Sequence, residues 1–151
     1  SDVYKRQLLW RPSDISEIEE ITSKSGNWII LIKSATNVLK GDNFVFVYPE
    51  LLQNTIVVRK GEVISSEIVD NENLDYKNIN SKIKTLMRKT RDKIKLRGSI
   101  VNEITTKGDF IKKITDSLKI NQNNKYRIEV ISLKDSKTAD AIIVELNITK
   151  L

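Results

Sequence analysis

Residues 28–69 read WIILIKSATNVLKGDNFVFVYPELLQNTIVVRKGEVISSEIV, and this run decides the fold class. It holds the densest apolar and β-branched residues of the chain, the side chains that suit a pleated, half-buried surface. Residues 28–34 form the first predicted strand. It is apolar on both faces for much of its length, which points to a central place in a sheet. A connection over 35–42 ends in Lys40-Gly41-Asp42, and 43–48 form a second strand. Pro49 should end that strand, because proline has no N–H for the ladder. Residues 50–54 lead to a third strand at 55–59, and the Lys60-Gly61 turn opens a fourth at 62–69. Four strands joined by short connections predict an antiparallel β meander or a small barrel.

Upstream, residues 13–22 read as a short helix. Pro12, Ser13 and Asp14 supply the stop and the cap, and Ile15, Ile18 and Ile21 recur on one face. Asp14, Glu17, Glu19 and Glu20 sit where the positive end of the helix dipole favours them. The simplest reading is a solvated acidic helix.

Downstream, the period changes. From 75 to about 93, Ile79, Ile83, Leu86, Met87 and Ile94 follow helical spacing, and the opposite face carries Lys82, Lys84, Arg88, Lys89 and Arg91. Residues 95–105 read as a strand with a possible-bulge glycine, Gly98. Lys107-Gly108-Asp109 opens a short helix to Lys119, with Phe110, Ile111, Ile114 and Leu118 inward. Residues 121–124 form a polar loop.

The chain closes in a hairpin. Tyr126, Ile128, Val130 and Ser132 alternate on one face of its first strand, and Ile142, Val144, Leu146 and Ile148 on one face of its second. The class is therefore α+β: a meander or barrel over 28–69, then helix, strand, helix and hairpin. The expected organisation is one domain over 8–151, divisible into subdomains at 8–70 and 71–151. Lys-Gly-acid occurs at Lys40, Lys60 and Lys107, but the flanks do not align. Tight-turn glycines with a capping acid account for it.

Composition narrows the chemistry. The 151 residues are 39% hydrophobic and 30% charged, as in a globular protein. There is neither cysteine nor histidine, which removes disulfides, thiolate nucleophiles, the usual zinc sites and Ser-His-Asp catalysis. No GxxxxGK[ST] or GxGxxG motif occurs, so the standard phosphate-binding loops are absent. Asp70-Asn71-Glu72-Asn73, continuing to Asp75, offers oxygen ligands but lacks the glycine and glutamate of an EF-hand register. Nothing singles out a pair among the 20 acidic residues as a hydrolytic dyad. Asn147-Ile148-Thr149 matches a glycosylation sequon, but inside a predicted strand. The expectation is a chain that is not an enzyme, takes no cofactor or metal, and has no small-molecule substrate. No apolar run approaches the roughly 18–20 residues that span a bilayer.

Charge is concentrated. The net charge is +6, yet residues 77–97 hold nine basic residues and one acidic, a local +8. The rest of the chain sums to −2. Lys82, Lys84, Arg88, Lys89, Arg91, Lys95 and Arg97 are the candidate binding residues, able to neutralise phosphates on nucleic acid or on anionic lipid. An ordinary solvated helix face would carry the same residues.

Ser34-Ala35-Thr36-Asn37, Gly41-Asp42, Asn54 and the Gly61-Glu62 turn carry a likeness, continued more weakly through Gly98 and the closing hairpin. On these residues the chain resembles the carboxy-terminal region of an uncharacterised, mostly cyanobacterial family, domain of unknown function 3084. The resemblance covers most of 8–151 and implies a globular tail behind an amino-terminal membrane segment and a long coiled coil. It implies a scaffold or protein-interaction role with an unidentified protein partner, and membrane association through an upstream region. It brings no functional residues with it. Residues 1–7 (SDVYKRQ) lack an initiating methionine and resemble a spurious translation found at the contig ends of metagenomic assemblies. They are expected to stand outside the fold, at the start of a truncated fragment. The competing expectation is a nucleic-acid-binding module that uses the basic helix at 77–97.

Overall fold

A computed structural model describes residues 6–70, 76–119 and 125–151, without the side chains of Tyr76, Phe110, Ile111, Leu118 and Lys119. The predicted polar run beyond Asp70, the 121–124 loop and the inward side of Phe110, Ile111 and Leu118 therefore lie outside the described residues. The described chain is α+β, with three helices and nine strands in three sheets and no closed barrel. It forms two compact units, Ser1–Asn54 and Thr55–Leu151.

In the first unit, β1 (Gln7–Leu9), β3 (Phe44–Gln53) and β2 (Trp28–Ser34) form a sheet in the order β1-β3-β2, with α1 (Pro12–Thr22) after β1. β1 runs parallel to β3 and β2 antiparallel to it. Three expectations are corrected here. First, Arg6 and Gln7 belong to the fold. Gln7 N–H donates to Asn43 O at 3.0 Å, and the Arg6 guanidinium donates to the Asp42 and Leu39 carbonyls. Second, β2 is an edge strand and not a central one. Third, β3 runs through Pro49, which stands opposite Ile32.

The proline is tolerated for a geometric reason. Ala35 N–H donates to Phe46 O and Asn54 N–H to Asn27 O, both at 2.8 Å. Even-numbered residues of β3 thus turn their peptide groups toward β2, and Pro49 turns its nitrogen the other way. β1 has already ended on that side, at the residue facing Phe46, so no ladder bond is lost.

Helix α1 starts one residue earlier than the sequence suggests, at Pro12 and not Ser13. Arg11 is the N-cap and Pro12 the first helical residue, where proline's fixed φ and missing N–H cost nothing. Arg11 Nε and Nη2 donate to the two carboxylate oxygens of the buried Asp14, at 2.9 and 2.8 Å. That hydrogen bonding holds the Asp14 carboxyl below its ordinary range, against the opposing effect of burial. A depressed folded-state pKa contributes stability above the unfolded value of about 3.9, lost as pH falls through the folded value. Asp14→Asn should therefore flatten the decline of melting temperature between about pH 5 and pH 2, read by circular dichroism. An acid limb as steep as that of the wild type would contradict it.

The second unit carries the core. β5 (Val63–Asp70), β7 (Lys125–Ser132), β9 (Ile142–Lys150) and β6 (Ile104–Thr106) form a sheet in the order β5-β7-β9-β6. β5–β7 and β7–β9 pair antiparallel, and β6 pairs parallel to β9. Helix α2 (Tyr76–Leu96) and helix α3 (Phe110–Lys119) cover one face. Tyr126, Ile128 and Val130 of β7 and Ile142 and Val144 of β9 meet Ile79, Ile83, Leu86 and Ile94 of α2 and Ile114 of α3 there. The strand order helix, strand, helix, hairpin and the alternation of β7 and β9 agree with expectation.

The meander does not form. β4 (Ile56–Val58) pairs with the two-residue β8 (Ser136–Lys137), and β5 leaves its sequence neighbour for β7. Residues 55–62 are instead stitched to residues 132–138. Thr138 N–H donates to Thr55 O (3.0 Å), Lys60 N–H to the Asp135 carboxylate (2.7 Å), Gly61 N–H to Ser132 O (2.8 Å) and Ser132 N–H to Glu62 O (3.0 Å). Gly61, at φ 81°, still makes the tight turn. For the same reason the chain divides at Asn54/Thr55 and not at 70/71, which would part β5 from β7.

The strand expected at 95–105 forms only at its end, as β6 from Ile104; its first four residues close α2, and 99–103 are irregular. α2 runs to Leu96, and Gly98 adopts φ 102°. Ser99 N–H donates to Ile94 O (3.2 Å) and Gly98 N–H to Lys95 O (3.0 Å), the paired bonds of a Schellman cap. A glycine just beyond a basic last turn is that cap's sequence signature; the bulge reading missed it. A Cβ at Gly98 would meet nothing within 4 Å, so Gly98→Ala carries only the left-handed strain of about 1–2 kcal/mol. The expected loss is about 5–10 °C in melting temperature, measured by calorimetry.

Candidate functional site

Helix α2 is long because its inner face is continuous. Ile79, Ile83, Leu86 and Ile94 are all buried, and so is Thr90, which is 0% exposed. Its hydroxyl donates to Leu86 O at 2.8 Å and accepts from Ser65, so the one buried polar group on this stretch is satisfied. Lys93 and Lys95 in the last turn suit the negative end of the helix dipole.

The basic residues split into two sets. One lies along the side turned to β5. Lys89 Nζ pairs with Glu67 Oε2 at 2.8 Å, Lys93 Nζ donates to Ile64 O at 3.1 Å, and Arg97 Nη1 reaches both Glu62 and Val57 O. The hydrogen bond from Lys89 holds the Glu67 carboxyl below its ordinary range; burial opposes it, and Lys82 adds a weaker attraction. For Glu62, burial alone would push the carboxyl up. The Arg59 N–H and the Arg97 guanidinium outweigh it, and the carboxyl sits below its ordinary range. Lys89, Lys93 and Arg97 therefore tie α2 to β5 and to residues 57–62, while Lys82 is exposed on the side toward Glu67 and acts on it only through space. The expectation that Lys82 and Lys89 share the outer face is corrected.

The other set faces solvent. At 100° per residue, Lys77, Lys84, Arg88, Arg91 and Lys95 fall within about 60° of one another around the axis, a stripe about 27 Å long. All five are exposed, and none of their side chains joins a hydrogen bond or ion pair with a described residue. Of the seven candidates, four (Lys84, Arg88, Arg91 and Lys95) thus come together, with Lys77 as an unnominated fifth. Helical-wheel arithmetic on the sequence would have found Lys77.

Other features carry less. A shallow depression lined by Val63, Ser66, Glu67, Ile68, Arg127 and Glu129 lies at the β5–β7 side of the second sheet. No group of three or more potential metal-ligating side chains occurs among the described residues. No helix among them is long and apolar enough to cross a membrane. No family model, curated protein or solved structure matches the chain.

Proposed function

We propose that this chain is a non-catalytic binding module that docks double-stranded nucleic acid along the outer face of α2. The observation that carries the reading is the stripe of Lys77, Lys84, Arg88, Arg91 and Lys95, five exposed cations without partners among the described residues. Charges left uncompensated at such density suit a ligand with phosphates in series. A helix of about 10–12 Å diameter fits a major groove about 12 Å wide. Two competitors fit less well. Single-strand binders interleave aromatics for base stacking, and residues 77–96 contain none. Helices that lie on lipid keep an apolar face for the bilayer, whereas here that face is buried in the core. The test is anisotropy titration of a labelled 20-base-pair duplex across a salt series, with anionic vesicles as the second arm. Steep salt dependence on the duplex supports the reading. No duplex binding at about 50 mM salt removes it, and vesicle binding alone transfers the stripe to lipid.

A second reading makes the chain the scaffold tail of a membrane-anchored coiled-coil protein. It is favoured by the first unit, where Phe44, Phe46 and Tyr48 lie exposed on one face of β3, the kind of apolar patch that marks protein contacts. The reading frame upstream of Arg6 tests it. A membrane segment followed by heptads is the expected result, and a nuclease or helicase domain there would overturn it.

A further inference from the structure

The strand with the most apolar sequence in the first unit is also an edge strand. β2 pairs with β3 along all seven residues without a bulge, and no described strand takes its other side. The bonds from Ala35 N–H to Phe46 O and from Asn54 N–H to Asn27 O set the parity. Residues 29, 31 and 33 turn their peptide groups toward β3, so Trp28, Ile30, Ile32 and Ser34 turn theirs outward.

Soluble proteins guard such edges with proline, bulges or inward charges. The open edge of β5 shows the devices: its register shifts between Val63 and Ser65, and Lys93 caps the Ile64 carbonyl. β2 has none of them. The one charge in WIILIKS, Lys33, is ion-paired with Glu50 on its own sheet. Ile30 and Ile32 stand 40% and 53% exposed on the face they share. Among the described residues of this unit only Val45 and Val47 are buried apolar residues, a small core for a unit of this size.

We propose that β2 pairs antiparallel with β2 of a second copy of the chain, about a two-fold axis through Leu31. This register uses the whole strand: Trp28 of one copy stands opposite Ser34 of the other, Ile29 opposite Lys33, Ile30 opposite Ile32, and Leu31 opposite Leu31. Each outward-facing residue then meets another outward-facing residue, as an antiparallel ladder requires. The two Ile30–Ile32 pairs bring β-branched side chains together on one face. Lys33 meets Ile29 and stays neutralised by Glu50, so like charges are never opposed. The two three-stranded sheets become one. The strand is its own complement, and that favours a second copy over an unrelated strand as the occupant.

Sedimentation velocity on the full chain over about 5–200 μM tests the pairing, with a monomer–dimer equilibrium expected. Ile30→Lys with Ile32→Lys sets lysine against lysine twice and should weaken the dimer at least about tenfold. Ile30→Lys with Ile32→Glu sets opposite charges at the same two places and should restore dimerisation to within about threefold of the wild type. Far-UV circular dichroism on both variants establishes that the fold is kept. Three outcomes overturn the proposal: a lysine–lysine variant that dimerises as tightly as the wild type, a lysine–glutamate variant as weak as the lysine–lysine one, or a wild type that stays monomeric throughout. The last would leave the edge to a strand from another protein.

Discussion

Replacing Lys84, Arg88, Arg91 and Lys95 together by glutamine should cut duplex affinity at about 50 mM salt by about 100-fold or more. The size follows from counterion release. Each neutralised phosphate contributes about −0.9 to the slope of log K against log salt, so a five-cation stripe should give a slope of about −4.5. Removing four leaves Lys77 and a slope near −1. The fold should be untouched, because the four side chains are exposed and make no contact that the core uses. The control is the rim. Lys82→Gln removes a charge from the same helix but from the side facing Glu67, and it should change the slope by less than one unit. Anisotropy titrations at four or five salt concentrations read both. A quadruple variant with an unchanged slope would show that the stripe does not touch phosphate.

Leu86→Ala should be the most damaging single substitution in α2. Leu86 is 1% exposed and belongs to the apolar cluster, and Thr90, one turn on, donates its hydroxyl to the Leu86 carbonyl. Truncating a buried leucine to alanine costs about 2–5 kcal/mol, the transfer term plus the cavity left behind. For a unit of this size about 3 kcal/mol lowers the melting temperature by about 15 °C. Calorimetry of the variant checks it, and a shift below about 5 °C would mean that the site collapses around the smaller side chain. The two experiments separate the faces of one helix: outer substitutions should change binding and leave stability, and Leu86→Ala should do the reverse at temperatures where the chain stays folded.

Much of the second unit is legible in the residues themselves. The step of four between Ile79 and Ile83 places α2, and the alternation Tyr126, Ile128, Val130, Ser132 places β7 with its buried side already assigned. The helix end was legible too, since Gly98 follows Lys93 and Lys95, but a glycine in an apolar-looking stretch serves a bulge equally well. The basic helix was found as a segment and not as a surface. Sorting its lysines needs the position of β5, because Lys89 and Lys93 become rim residues only where Glu67 and the Ile64 carbonyl meet them.

The sequence alone determined the α+β class, the buried face of α2, the faces of β7 and β9, the turn at Gly61 and the charge concentrated over 77–97. These follow from local period and local backbone freedom, which a chain carries wherever it folds. Tertiary structure decided the partners: β5 with β7, β4 with β8, and β2 at an open edge despite its apolar sequence. Strand pairing is a competition between segments far apart in the chain, and the entropy of closing a longer loop rises only slowly with its length. A neighbour in sequence therefore holds little advantage over a distant strand with a better-matched face. WIILIKS reads as a buried strand because both its faces are apolar, yet no described strand takes its outer edge.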